Sequence, residues 1–256
     1  MPDSITYEQP LNERIRTILR LEFLFKVLTG ALKGDSELDN RDAVQALSSI
    51  LLVFERSDLK QEIIKELERL ITNLSALENS PGVDKQALEA LLSDLDRIVD
   101  GLHMKKSAIG QELRENDFLY GIRQRSSIPG GTCDFDIPAY HYWLQHSSNE
   151  ERKQQLMEWS SQFDNVRSAV EITLKLIRGS TGFSQKTASA GFYQHSLDSN
   201  QANQLIRVKI AKDSAYYPEI SGGKHRFTVR FMAFDINQRS QQYSEDVDFA
   251  LSCCSM

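Results

Sequence analysis

The hydrophobic period of this chain changes near Gly179-Ser180-Thr181-Gly182, and the change limits the folds available to it. Before this point, apolar residues recur every three or four positions, which is typical of amphipathic helices. After it, apolar and polar residues alternate, which is typical of half-buried strands. We therefore predict an α+β protein, with an α-helical domain over residues 1–180 and a small antiparallel β domain over residues 181–256.

Two segments of the helical part carry apolar residues at the alternating four- and three-residue spacing of a heptad seam. The first runs from about Leu59 to Leu77 and the second from about Leu88 to Leu102. Ser80-Pro81-Gly82-Val83 interrupts the pattern between them. Because short connections favour antiparallel neighbours, we predict a long helical hairpin. The alternative is that the seams pack against a second copy of the chain.

The other helices are assigned from the same periodicity and from their end signals. Pro10 fits the first turn of a helix that runs to about Leu32. Its segment Leu21–Leu28 is apolar nearly all round, which predicts burial on most sides. Further helices are predicted at about residues 40–54, 109–125, 149–161 and 164–178, with one more after Pro138.

Strands are predicted at residues 205–210, 225–234 and 246–252, and another near Phe192. The first two strands are basic on their polar sides. If they are neighbours, four cations share one face of the sheet: Arg207, Lys209, Arg226 and Arg230. On a neighbouring strand, Asp246 and Asp248 offer cross-strand pairs that would neutralise part of this charge.

Composition excludes several classes of protein. The chain has 256 residues, of which 40% are hydrophobic and 26% charged, as in folded soluble proteins. Its net charge of −6 argues against a general attraction to nucleic acid or to anionic lipid. We expect a cytoplasmic protein without membrane insertion, because no apolar run could span a bilayer and the N-terminus lacks a secretion signal. The three cysteines lack CxxC spacing, so we expect neither a disulfide framework nor a metal site, and we expect no cofactor.

Residues 123–143 hold two arginines, a Pro-Gly-Gly turn and an aromatic cluster around His141, which together predict a shaped loop. Cys133 and His141 are the residues that could form a catalytic Cys–His pair. No nucleophile elbow, phosphate loop or metal spacing accompanies them, so we predict no catalysis. In the first helix, Arg16 and Arg20 share a face, where Arg16 either pairs with Glu13 or points at a partner.

Segments along almost the whole chain resemble the ZapD family (Z-ring-associated protein D), bacterial cytoplasmic proteins that bind the division tubulin homologue FtsZ. The segments are residues 8–24, Val53-Phe-Glu-Arg56, Pro81-Gly-Val-Asp84, residues 123–131, Gly191-Phe-Tyr-Gln194, Tyr217-Pro-Glu-Ile-Ser-Gly222 and Arg226-Phe-Thr-Val-Arg-Phe-Met232. The resemblance implies a helical N-terminal domain, a C-terminal β domain and a symmetric homodimer. It also implies that positively charged surface binds the C-terminal tail of FtsZ, bundling filaments into the mid-cell division ring and so supporting septation.

The resemblance and the charge pattern together give the predicted partner-binding residues. They are Arg16, Arg20, Arg123, Arg125, His141, Lys224, Arg226 and Arg230. Asp136-Ile-Pro-Ala-Tyr140 also resembles the Asp-Ile-Pro-Ala core typical of FtsZ tails, although chance or local turn chemistry explains it as well. The alternative function is another peptide-binding or nucleic-acid-binding adaptor. Against nucleic acid, Phe227 and Phe231 alternate onto the inward side of their strand.

Overall fold

The computed structural model describes residues 3–55, 58–105 and 107–256. The chain divides into two compact units. The β unit comprises Met1–Ile18 and Leu174–Met256, and the helical unit comprises Leu19–Thr173. The predicted α+β class is confirmed, since helices occupy the N-terminal part of the chain and antiparallel sheets the C-terminal part. Across the described ranges, no helix combines the length and the hydropathy needed to span a bilayer.

The helices follow the predicted periodicity with one exception. The exception is the predicted helix 109–125, which is two helices because the side chain of Asn116 caps a new one by accepting from the Leu119 N–H at 3.0 Å. The helices are α1 (Glu13–Ala31), α2 (Glu37–Glu55), α3 (Leu59–Ser75), α4 (Lys85–Met104), α5 (Gln111–Arg114), α6 (Asp117–Arg125), α7 (Pro138–His146), α8 (Asn149–Ser161) and α9 (Asp164–Gly179).

The predicted hairpin is confirmed, because α3 and α4 pack directly against each other. Leu67, Leu70 and Leu95 are fully buried between the helices and their neighbours. The connection reverses at Gly82, whose φ of 84° lies in the left-handed region that glycine adopts without strain. Asp84 then caps α4, accepting from the Ala87 N–H at 3.1 Å.

The strands form two antiparallel sheets. Sheet A has the order β1-β4-β8-β2, and sheet B has the order β3-β6-β5 with β7 beside β6. The strands are β1 (Ser4–Pro10), β2 (Ser184–Ala188), β3 (Phe192–Ser196), β4 (Asn203–Ala211), β5 (Tyr216–Gly222), β6 (Arg226–Ala233), β7 (Gln241–Gln242) and β8 (Val247–Ser255).

The N-terminal strand β1 was not predicted. Pro10 is its last residue and pairs with Leu205 of β4, so the prediction that Pro10 lies in the first turn of a helix is wrong. The helix begins three residues later, where the Asn12 side chain accepts from the Ile15 N–H at 2.9 Å. Pairing of β1 with β4 explains why Met1–Ile18 belongs to the β unit.

The two sheets bury their apolar faces in one shared core. Val208 of β4, Phe231 of β6 and Phe249 of β8 all belong to it, and the rings of Phe231 and Phe249 lie 5.1 Å apart. The strands β4 and β6 are therefore not neighbours, since β4 pairs with β1 and β8 whereas β6 pairs with β3 and β5. The prediction that Arg207, Lys209, Arg226 and Arg230 share one face of a single sheet is wrong.

Candidate partner-binding surface

The outer face of β6 carries two exposed arginines. Arg226 and Arg230 alternate with the buried Phe227, Val229 and Phe231, so the strand period places both guanidinium groups on the solvent side of sheet B. Neither guanidinium forms an ion pair with any residue that the structure describes. Two exposed cations are thus fixed on a rigid central strand of the sheet.

A shallow polar depression of about 460 Å³ lies at the Arg226 end of this face. The turn between β5 and β6 supplies Lys224, which is exposed and has no ion pair within the described ranges. Gln194 of β3 and Ser221 of β5 flank Thr228 in the strand register. These side chains offer N–H and O–H donors beside two cations, which suits carboxylate groups of a ligand.

We call Lys224, Arg226 and Arg230 the cationic face of sheet B. One carboxylate opposes it, because Glu219 of β5 lies opposite Arg230 in the register, with Phe192 of β3 on the other side. Glu219 is itself exposed and forms no ion pair in the described part of the chain. Three cations against one anion leave this face positive, although the whole chain carries a net charge of −6.

The cations of sheet A are arranged differently. Glu8 of β1 accepts from Arg178 at 2.9 and 2.7 Å and from Arg207 at 2.9 Å, and all three side chains are largely buried. The ammonium nitrogen of Lys209 lies 3.9 Å from the centre of the Phe183 ring, a cation–π contact. Arg207 is therefore bound internally rather than presented to a partner.

The predicted neutralising role of Asp246 and Asp248 is wrong. The carboxylate of Asp246 accepts from the Ala190 N–H at 2.9 Å, and that of Asp248 accepts from the Thr187 hydroxyl at 2.7 Å. Both carboxylates therefore form hydrogen bonds with β2 and the turn after it, not with the basic strands. The carboxylate that accepts from Arg207 belongs instead to Glu8 of β1, a strand that the hydrophobic pattern did not predict.

In α1, the pairing proposed for Arg16 is observed, with its Nε 3.0 Å from the Glu13 carboxylate. Arg20 is exposed, and no ion pair to it occurs among the residues described. The predicted burial of Leu21–Leu28 on most sides is wrong. Phe23 is 65% exposed and Val27 is 38% exposed, because α1 packs through one side only.

The remaining predicted residues lie in the helical unit near the Pro-Gly-Gly turn. Arg123 forms an ion pair with Glu55, and burial lowers the pKa of this arginine. Arg125 is half exposed, with its Nη1 3.6 Å from the Asp136 carboxylate. His141 is exposed on α7. The described contacts therefore leave His141 accessible and Arg125 partly accessible, whereas Arg123 is held inside the unit.

The Pro-Gly-Gly turn itself has a steric explanation. Gly130 has a φ of 70°, and a Cβ on Gly131 would lie 2.5 Å from the carbonyl oxygen of Arg125. Only glycine permits this close approach of the loop to the end of α6. The turn thus fixes the loop that carries Asp136 beside Arg125.

Cys133 does not have the features of a catalytic nucleophile. Its thiol donates to the Asp136 carboxylate at 3.2 Å, and burial together with this bond raises the pKa of Cys133. An activated cysteine has a lowered pKa and a nearby basic partner. His141 forms no hydrogen bond with Cys133 in the described structure.

The segment Asp136–Tyr140 is part of the fold. Pro138 occupies the first turn of α7, while Ile137 and Tyr140 are almost fully buried. Burial raises the pKa of Tyr140 to about 12. The resemblance of Asp136–Tyr140 to an FtsZ tail therefore involves residues of the core and the first residue of α7.

Comparison with known proteins identifies the family. A family model described as "ZapD: Cell division protein" matches residues 19–230. A cell division protein ZapD from Methylococcus capsulatus is 40% identical over 254 residues, which cover 99% of each chain. Proteins of the same name from Coxiella burnetii and an Azoarcus species are 40% and 38% identical, over 98% of this chain and 98% and 100% of their own. The chain therefore belongs to the ZapD family of cell division proteins.

Proposed function

We propose that this cell division protein binds the C-terminal tail of FtsZ through the cationic face of sheet B. Arg20, which belongs to the helical unit, is proposed as a tail-binding residue in its own right. One observation carries the proposal: Arg226 and Arg230 are exposed on the same face of β6, and neither is neutralised by a described residue. We further propose that it acts as a homodimer that cross-links FtsZ filaments at the mid-cell division ring.

The spacing of the two arginines supports an extended peptide as the ligand. They are four residues apart on one strand, so their Cα atoms are separated by roughly 13 Å. An extended tail has the same rise per residue. Two of its carboxylates, four residues apart, can therefore meet both guanidinium groups without bending of the peptide.

Cross-linking follows from two such surfaces on one dimer. A filament offers many tails, so after one site of the dimer binds, the second site meets tails at high effective concentration. Each contact can be weak while the bundle as a whole is stable. Weak individual contacts also keep the bundle reversible.

Co-sedimentation with FtsZ filaments tests the proposal with Arg226→Ala, Arg230→Ala and the double variant. Removing one exposed cation about 4–6 Å from a carboxylate removes roughly 1 kcal/mol of attraction in water, so each single variant should bind about fivefold more weakly. Arg97→Ala is the matched control, because Arg97 is an exposed cation of α4 that already pairs with Asp94.

The double variant should bind more weakly than either single variant, and wild-type binding should decrease as salt is raised. Because both arginines face solvent, the variants should keep the circular dichroism spectrum and melting temperature of the wild type. If the folded double variant co-sediments as well as the wild type and Arg97→Ala, the assignment of this face is wrong.

A further inference from the structure

One face of α1 is apolar yet exposed to solvent. The helix buries Leu21, Phe25 and Leu28 in the helical unit, a spacing of four and three residues. Phe23 and Val27 lie away from these residues, with 65% and 38% of their surface exposed. Phe23 and Val27 are neighbours at positions i and i+4, so they form a small contiguous apolar patch rather than isolated exposed residues.

This apolar pair is continuous with a cation. Arg20, Phe23 and Val27 stand at positions i, i+3 and i+7, so they share one face of α1. With a rise of about 1.5 Å per residue, the row extends over roughly 10 Å. We call it the α1 row. Its order along the helix is a cation, an aromatic ring and then an aliphatic side chain.

We propose that the α1 row binds a short acidic peptide that also carries a large apolar side chain. Charge complementarity identifies this occupant. Arg20 has no anionic partner among the described residues, so a ligand carboxylate would supply one. An apolar side chain of the same peptide would then cover Phe23 and Val27 and remove them from water.

A second copy of the chain fits this face less well. A symmetric interface would place the α1 rows of two copies against each other, and the α1 row carries no anion that could pair with Arg20. Two apolar side chains also provide far less than the roughly 1,200 Å² that a stable protein–protein interface buries.

The inference rests on the proposed function, because the acidic peptide is taken to be the FtsZ tail. It adds that recognition has an apolar component, which charge alone does not provide. Exposed cations attract any acidic segment, whereas an aromatic and an aliphatic side chain beside Arg20 select those segments that place an apolar residue next to a carboxylate.

Fluorescence anisotropy with two labelled peptides tests the inference. The first peptide is the FtsZ tail, and the second is the same tail with its large apolar residues replaced by serine. The proteins are the wild type, Phe23→Ala, Val27→Ala, Arg20→Ala and a control, Met157→Ala. Met157 is a 57% exposed apolar residue of α8 in the same unit.

Phe23→Ala should weaken binding of the natural tail about fivefold or more, as is typical of an aromatic contact residue. Phe23→Ala and the wild type should bind the serine peptide with equal affinity, because that peptide lacks the apolar side chain that Phe23 would contact. Arg20→Ala should weaken binding of both peptides, and Met157→Ala should change neither. Alanine is a good helix former, so α1 should persist in every variant.

Unchanged tail binding by both Phe23→Ala and Val27→Ala overturns this inference while leaving the proposed function intact. Equal weakening of both peptides by Phe23→Ala also overturns it, since the effect would not require the apolar residues of the tail. Loss of self-association on analytical ultracentrifugation with unchanged tail binding overturns it in favour of a second copy. If the wild type binds neither peptide, the proposed function is wrong and this inference is wrong with it.

Discussion

The hydrogen bonds of Arg178 and Arg207 to Glu8 give a stability prediction that separates these arginines from the exposed arginines of the proposed binding face. Glu8→Ala removes the carboxylate that accepts three hydrogen bonds, two from Arg178 and one from Arg207, at 2.7–2.9 Å. The backbone of β1 can stay in place, because its pairing with β4 uses main-chain groups. The variant thus removes the carboxylate that two partly buried guanidinium groups share.

The magnitude follows from the burial of the three side chains. Their exposed fractions are 18% for Glu8, 24% for Arg178 and 18% for Arg207. Breaking a fully buried ion pair costs about 3–5 kcal/mol. The remaining exposure lets water reach part of each guanidinium, and the Arg178 carbonyl still accepts from Arg207 at 3.2 Å. We therefore expect Glu8→Ala to lower the stability of the β unit by about 3 kcal/mol.

The assay must report on the β unit alone. Trp143 and Trp159 both lie in the helical unit, so tryptophan fluorescence follows the wrong part of the chain. Amide hydrogen exchange of β4 and β8 is the suitable measurement. A loss of about 3 kcal/mol should accelerate exchange of their slowest amides roughly a hundredfold.

Combining Glu8→Ala with Arg207→Met tests whether the cost arises from unpaired charge. The double variant should be less destabilised than the sum of the two single variants, because Arg207→Met removes a cation whose hydrogen bond to Glu8 is already lost. Glu8→Ala should still co-sediment with FtsZ. Exchange within threefold of the wild type would refute the reasoning, as would additive effects in the double variant.

Two further predictions concern a glycine and a thiol. Gly191→Ala should lower the stability by about 2 kcal/mol or more, because φ is 69° there and a Cβ would lie 2.2 Å from the Tyr243 carbonyl oxygen. The matched Gly30→Ala, in α1 with open space around it, should instead raise the melting temperature; equal melting temperatures for the two variants would contradict this. Burial raises the pKa of Cys253 to about 11, so only about one thiol in a thousand is ionised at pH 8. Mass spectrometry should find Cys253 alkylated by iodoacetamide far more slowly in the native protein than in urea, and equal rates would refute the raised pKa.

Local periodicity predicted the helices well because their contacts recur every few residues. The heptad seams of α3 and α4 identified both the elements and their packing, since a short connection leaves few alternatives. The split between α5 and α6 was missed because both halves keep apolar residues in register. Only the capping role of Asn116 divides them.

The strand β1 was missed because its partner is distant. Glu8 pairs with Arg207, 199 residues away, and no local signal reports such a pairing. A signal for the strand itself was present, since Ile5 and Tyr7 alternate with Thr6 and Glu8. Pro10 instead indicated a helix start, because proline is common in the first turn of a helix and a helical pattern follows it.

The candidate surface was predicted in part for a related reason. Alternation along β6 correctly placed Arg226 and Arg230 on the solvent side. Alternation fixes which way a side chain faces but not which strand lies beside it. The sequence therefore could not show that β4 lies in the other sheet, or that Arg207 meets Glu8.

Long-range pairing thus decides which cations of this acidic chain are held in internal ion pairs. Arg207 and Arg123 look as available in the sequence as Arg226, yet Glu8 and Glu55 hold them inside their units. If a half-buried arginine left its internal carboxylate to bind a tail, the free energy lost with that ion pair would weaken the net binding. Arg226 and Arg230 face no such loss, because neither has an ion pair to break in the described structure. The cationic face of sheet B is therefore the better candidate for the proposed binding surface because its arginines are exposed and unpaired, and not because of positive charge alone.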